Sequence, residues 1–164
     1  MPRLRSYQPD DYPHFLALDV ETAQDALGDA TDDERTKLRE LWPRLLAEHR
    51  GLTAAGLTAP RAELWVVQGD DGRYLGHLWL TEKNDEVSSR RTLEVTTMGI
   101  VREARGQGLG RLLMQKAESA AREKKIEDIE LSVAGNNRRA RDLYRDLGYE
   151  TTRRTMRKRM REQG

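Results

Sequence analysis

The sequence predicts an α/β (α+β) fold, a central mixed and mostly antiparallel sheet with one parallel βαβ unit, flanked by about four helices. Three observations predict it. The first half holds short β-rich runs separated by glycine and aspartate turns. After Val101 the apolar period changes from two to nearly four, then returns to two, which is the strand–helix–strand signature of a locally parallel pair. The length of 164 residues suits one domain spanning 1–164.

The elements follow in order. Leu4–Tyr7 is a strand. Asp10 and Asp11 are read as the cap and first turn of a helix that carries Phe15, Leu16 and Leu18. Thr31–Leu52 is a second helix, opened by a Thr31/Glu34 capping box, striped by Leu38, Leu41, Leu45 and Leu46, and closed by Gly51 and Gly56. Glu63–Gln68 and Tyr74–Leu80 form a hairpin across Gly69-Asp70-Asp71-Gly72. A polar loop, Asn84–Arg90, leads to a strand from Leu93 to Val101. Leu109, Leu112, Leu113, Ala117, Ala120 and Ala121 share one helix face, with Lys124 and Lys125 in the last turn. Ile126, Ile129, Leu131 and Val133 make the next strand. Ala140, Leu143, Tyr144 and Leu147 make a short helix stopped by Gly148, and Tyr149–Met160 is expected as a closing strand with a turn near Thr152.

Composition narrows the function. With no cysteine, disulfides and thiolate metal sites are excluded, and a cytoplasmic location is expected. His14, His49 and His77 lack metal-ligand spacing, so no metal is expected. No run is long enough for a membrane span, and the first residues lack a signal-peptide pattern. The net charge of +1 hides an asymmetry. Residues 1–34 hold nine acidic against two basic side chains, a net −7, and residues 138–161 hold ten basic against three acidic, a net +7. The basic tail raises a nucleic-acid-binding alternative, but the acidic first third and the scattered Trp42, Trp65 and Trp79 argue against it.

The chemistry concentrates in Ile100-Val101-Arg102-Glu103-Ala104-Arg105-Gly106-Gln107-Gly108-Leu109-Gly110-Arg111. A strand ends, a glycine-rich turn follows, and a helix starts at once. Helix N-termini present unpaired amides and partial positive charge, and glycines admit a ligand close to the backbone, so this suits a phosphate or pyrophosphate. It is not the Gly-x-Gly-x-x-Gly dinucleotide pattern, because Leu113 stands at the third glycine position, and no Lys-Ser or Lys-Thr pair makes it a nucleoside-triphosphate loop.

Arg105-x-x-Gly108-x-Gly110, with Ile100 five residues ahead, resembles the acetyl-CoA signature of the GNAT N-acetyltransferase superfamily. Leu131 to Tyr149 resembles that family's second motif, Leu-x-Val-x-x-x-Asn-x-x-Ala-x-x-Leu-Tyr-x-x-x-Gly-Phe, with Tyr149 for the usual Phe. Met156 and Met160 are similar to its final strand.

The resemblance implies a splay between the fourth and fifth strands and acetyl-CoA as co-substrate. It implies a pyrophosphate on the amides of Arg105, Gly106, Gln107, Gly108, Leu109, Gly110 and Arg111. It places the pantetheine arm along Met98, Gly99 and Ile100, with Asn137 on that arm. Tyr144 would stand near the thioester sulfur as proton donor. Glu94, on the same strand, is the expected base, with a water relay as the alternative. Ser132 stands where the acetylases of ribosomal-protein N-termini carry a carboxylate, which sets that subclass aside. The expected reaction is acetyl transfer to a primary amine. The acidic first third favours a cationic acceptor such as a polyamine, an aminoglycoside-like amine or a peptide lysine. A non-catalytic acyl-CoA-binding or sensing module is the other reading, and a homodimer is expected by analogy.

Overall fold

In a computed structural model describing residues 1–161, the chain runs β1 (Arg3–Ser6), α1 (Tyr12–Ala26), α2 (Asp32–Arg50), β2 (Leu52–Thr53), β3 (Gly56–Leu57), β4 (Ala62–Gln68), β5 (Tyr74–Asn84), β6 (Arg91–Ile100), α3 (Leu109–Glu123), β7 (Asp128–Leu131) and α4 (Arg138–Asp146). Five strands form one sheet in the order β1-β4-β5-β6-β7, and β2 pairs with β3 in a separate two-stranded ribbon. All main-sheet pairings are antiparallel except β6 with β7, the strands that flank α3. A crossover helix between neighbouring strands requires that parallel pairing.

The pleat sends alternate side chains of β5 to two cores. Leu78 and Leu80 face α3, joining Leu93, Val95, Leu113 and Met114. Trp79 faces the other way and packs with Phe15 of α1, Leu46 of α2 and Leu64. The central strand is thus covered on both faces, which is why Leu75–Leu80 has no polar alternation. α2 begins at the foreseen capping box: Thr31 Oγ1 accepts from Glu34 N at 3.2 Å, and Thr31 N donates to Glu34 Oε2 at 3.0 Å.

Several expectations need correction. Asp10 and Asp11 are not the cap and first turn of α1: both lie in a short 3-10 turn before it, and Asp11, at the N-cap position, pairs its carboxylate with Arg5 at 2.7 Å and accepts from Gln8 N at 2.8 Å instead of capping. Leu41 is 48% exposed, and Trp42 takes the inward position on α2, because the indole is held from α1. β7 ends at Leu131, leaving Val133 outside it. Residues 149–161 form no strand, and 151–161 are exposed throughout. The tail carries arginine or lysine at 153, 154, 157, 158, 159 and 161, and Lys158 falls between Met156 and Met160 on the one face they would share, so there is no continuous apolar face to set against a sheet.

One buried group gives a pH-dependent stability. His77, on β5, is fully buried between Phe15 and Tyr74; its Nδ1 meets the Tyr74 hydroxyl at 2.5 Å, and its Nε2 has no partner among the described residues. Burial holds its pKa down to about 3. The unfolded chain therefore binds this proton below about pH 6.5 while the folded chain refuses it, so stability present above that pH is lost on acidification. Urea unfolding between pH 6.5 and 4.5 is expected to lose roughly 1.4 kcal/mol per pH unit from this residue. His77→Gln should lower that slope relative to the parent, and an unchanged slope would show that the ring is not held neutral.

Candidate active site

The parallel pairing of β6 and β7 covers only Thr92–Val95 against Asp128–Leu131. β6 continues to Ile100, whereas the chain after Leu131 turns off towards α4. The strands therefore part, as expected, and the gap between them opens a cleft of about 770 Å³. That volume lies in the range of small-molecule sites. Opposite the parting, β6 carries a bulge: Trp79 faces Thr97 and Leu80 faces Val95, leaving Thr96 as the extra residue. Thr96 and Thr97 both line the cleft.

One end of the cleft is the glycine loop. A single 3-10 turn, Arg102–Ala104, ends β6, and Arg105 Nε ties back to Ile100 O at 3.2 Å. Gly106 and Gly108 then take left-handed conformations, φ +79° and +80°, and Gly108 becomes the N-cap of α3. The first helical hydrogen bond is Leu112 N to Gly108 O, 3.1 Å. Among the described residues, the amides from Gly106 to Arg111 have no acceptor. A row of free amides at a helix N-terminus is an anion site. A β-carbon built on Gly108 would meet nothing within 4 Å, so the space in front of the loop is open. Arg105, Arg111 and Arg139 stand on this end of the wall. The residues present thus fit a diphosphate-bearing ligand.

α4 forms the facing wall. Asn137 caps it, its Oδ1 accepting from Ala140 N at 3.2 Å, which fixes the side chain and leaves its amide NH₂ free for a ligand. Gly110 lets α4 close on α3; a β-carbon there would stand 3.1 Å from Leu143 Cδ2. Tyr144, next to Leu143, lines the cleft with its ring edge-to-face on Tyr149 at 5.9 Å. Burial pushes its phenol up to about 12, so it is protonated at neutral pH. Among the described residues nothing takes its proton.

The remaining wall is built by α1, α2 and the β6 bulge. Asp19, on the inward face of α1, accepts from Trp42 Nε1 at 2.7 Å and from Thr97 Oγ1 at 3.0 Å. Burial raises its pKa, opposed by those two hydrogen bonds and by Arg50. Arg50 itself donates to Thr96 O at 3.2 Å.

All the sequence-predicted site residues line the cleft except Gln107 and Glu94. Gln107 is exposed and contributes only its amide to the loop. Glu94 lies beside the cleft, its Oε2 paired with Lys83 Nζ at 2.6 Å, and it reaches the wall only through Thr96 Oγ1, 3.5 Å from Oε1. Sequence reasoning missed Asp19 and Thr97, while Trp42, read as core or pocket wall, does line the cleft. A signal for Asp19 existed: it is an acid on the helix face set by the apolar Phe15 and Leu18 of α1.

Among the described residues, no group of three or more His, Asp or Glu side chains is placed to hold a metal ion. No described helix is long and apolar enough to cross a membrane.

Comparison with known proteins agrees with this architecture. The family profile described as "Acetyltransferase (GNAT) family" matches residues 24–149. A mycothiol acetyltransferase of Beutenbergia cavernae is 38% identical over 87 residues, 52% of this chain; the match spans only 28% of that relative's own length. A candidate acetyl transferase structure from Pyrococcus furiosus superposes with a TM-score of 0.73 at 23% identity, covering 98% of this chain and 100% of that one. AAC(6')-Iy, solved with the bisubstrate analogue CoA-S-monomethyl-acetylneamine, superposes with a TM-score of 0.65 at 16% identity, covering 98% and 99%. At these identities the two structures establish the fold.

Proposed function

Because the chain belongs to the acetyltransferase (GNAT) family, we propose that it transfers an acetyl group from acetyl-CoA to a primary amine on a small cationic or peptide acceptor. The observation that carries the reading is the row of free amides from Gly106 to Arg111, set beside the unpaired edge of β6. The coenzyme-analogue complex of AAC(6')-Iy, on the same fold, supports it.

The acyl thioester supplies an electrophilic carbonyl and a thiolate leaving group. The glycine-loop amides, with Arg105, Arg111 and Arg139, receive the pyrophosphate. Met98, Gly99 and Ile100 offer backbone groups to the pantetheine arm, and Asn137 offers its amide NH₂. The amine nitrogen bonds to the carbonyl carbon while the carbon–sulfur bond breaks. A backbone N–H of β6 stabilises the negative charge gathered on the carbonyl oxygen. An alkylammonium, with a pKa of roughly 10.4, must first lose a proton. Glu94 acts at one remove, receiving that proton through water ordered on Thr96, which makes the base and the relay two parts of one path. Tyr144 donates to the departing sulfur, and the proton that the attacking nitrogen sheds as the amide forms restores the phenol.

Two measurements test the reading. Saturating acetyl-CoA binds only the folded state, and at a hundredfold excess over Kd it should raise Tm by roughly 5–10 °C. No shift at millimolar acetyl-CoA would sink the proposal. Thiol release with an amine panel then separates catalysis from acyl-CoA sensing: a shift without release would leave a non-catalytic binding module.

A further inference from the structure

We infer that Asp19 recognises the acceptor, receiving its ammonium group on the α1–β6 wall of the cleft. The inference rests on the acetyl-transfer reading and adds to it the residue that selects the substrate.

Asp19 is 6% exposed and lines the cleft. Both of its hydrogen-bond donors, the Trp42 indole and the Thr97 hydroxyl, are neutral, and among the described residues it has no ion pair. A buried carboxylate needs a counter-charge in contact; with two neutral donors and only the more distant Arg50 to offset it, burial is costly. If Asp19 only tied α1 to α2 and β6, a neutral side chain of the same shape would serve without that cost. Each carboxylate oxygen keeps a lone pair for a further donor. An ammonium group entering the cleft brings the missing charge and donors together, and the Trp42 ring, also on the wall, is a surface that cations favour.

The position fits the chemistry. Asp19 is one hydrogen bond from Thr97 in the β6 bulge, the strand whose open edge would carry the acyl arm. Arg105, Arg111 and Arg139 stand at the glycine-loop end, and Asp19 and Asp25 on the α1 wall. Arg50, the other charged side chain there, donates to Thr96 O and acts on Asp19 only from a distance, without forming an ion pair with it.

The acids of the N-terminal third do not act as one field. Asp11 pairs with Arg5, Glu21 with Arg102, and Asp29 with Arg159, while Glu34 completes the α2 cap. The attraction expected from the acidic run therefore narrows to the cleft, with Asp19 at its centre.

The test is Asp19→Asn, assayed with spermidine, kanamycin and a lysine-containing peptide. Loss of a charged hydrogen bond should raise KM for the best amine by roughly 10- to 150-fold. The acetyl-CoA thermal shift should stay, and Asp19→Glu should recover part of the affinity. Neutralising Asp29, Asp32 and Asp33 together should leave KM in place. An unchanged KM in Asp19→Asn, with or without a fall in Tm, would make the residue a structural tie and overturn the inference. The parent protein gives an independent readout if the variants fold poorly. Butylamine should compete with the best amine and butanol should not; equal inhibition, or an anionic best substrate, overturns the inference. Absence of the acetyl-CoA shift in the parent would instead overturn the acetyl-transfer reading.

Discussion

Tyr144→Phe should lower turnover by about 10²–10⁴-fold while leaving the acetyl-CoA thermal shift intact. The phenylalanine keeps the ring that packs edge-to-face on Tyr149, so α4 and the cleft wall should stand. Only the hydroxyl is lost. Its protonation is secure, since burial pushes the pKa to about 12. That same value limits what the phenol can do. Against a thiol of pKa about 8.5, complete transfer would be uphill by roughly 5 kcal/mol. The balance narrows because the sulfur leaves in the same sparsely hydrated cleft, where burial raises the thiol's pKa too. The phenol therefore stabilises the thiolate by a strong hydrogen bond as the carbon–sulfur bond breaks, and the proton follows. Such an interaction exists in the transition state and is nearly absent in the ground state, so kcat and kcat/KM should fall together. Steady-state kinetics with thiol detection measures both. Unchanged turnover would return Tyr144 to a packing role with Tyr149.

The parts of the site legible in the sequence are those fixed by backbone chemistry. Gly106 and Gly108 were readable because few other residues take φ near +80°, and the strand–turn–helix context said what such a turn is for. The same holds for the Thr31/Glu34 box, where two side chains answer two unpaired amides within four residues of sequence. What was not legible depends on distant partners. Asp19 owes its place to Trp42 and Thr97, on two other elements, and no local pattern announces that pairing. Glu94 was aimed at the cleft by the family resemblance, which fixes a strand position and not the partners of the side chain there. Lys83, its neighbour on β5, holds it beside the cleft instead. The two-residue strands β2 and β3 fell below the length at which alternation can be seen. The closing strand was expected from Met156 and Met160, which are 91% and 81% exposed; the resemblance carried that expectation where the pattern of charges did not.

Gly108→Val should abolish the acetyl-CoA shift at concentrations that saturate the parent, and lower the ligand-free Tm by a few degrees. The two effects have separate causes. Residue 108 has φ +80° and ψ +10°, and a left-handed conformation costs a non-glycine residue about 1–2 kcal/mol, with β-branching adding to it. Contact adds nothing further in the ligand-free protein, because a β-carbon at this position meets nothing within 4 Å. The emptiness is what makes the variant informative: the branched side chain would stand in the space in front of the free amides, where the pyrophosphate is to lie. Gly72 supplies the control. It has φ +85° in the β4–β5 turn, far in sequence from the loop and not on the cleft wall. Gly72→Val should cost a similar Tm while keeping the full acetyl-CoA shift. If both variants keep the shift, the coenzyme does not use the amides at the start of α3, and the assignment of the glycine loop fails. If both lose it, strain alone disables binding and the amides carry no special role. Loss in Gly108→Val alone ties recognition to the one place where the backbone must be bare.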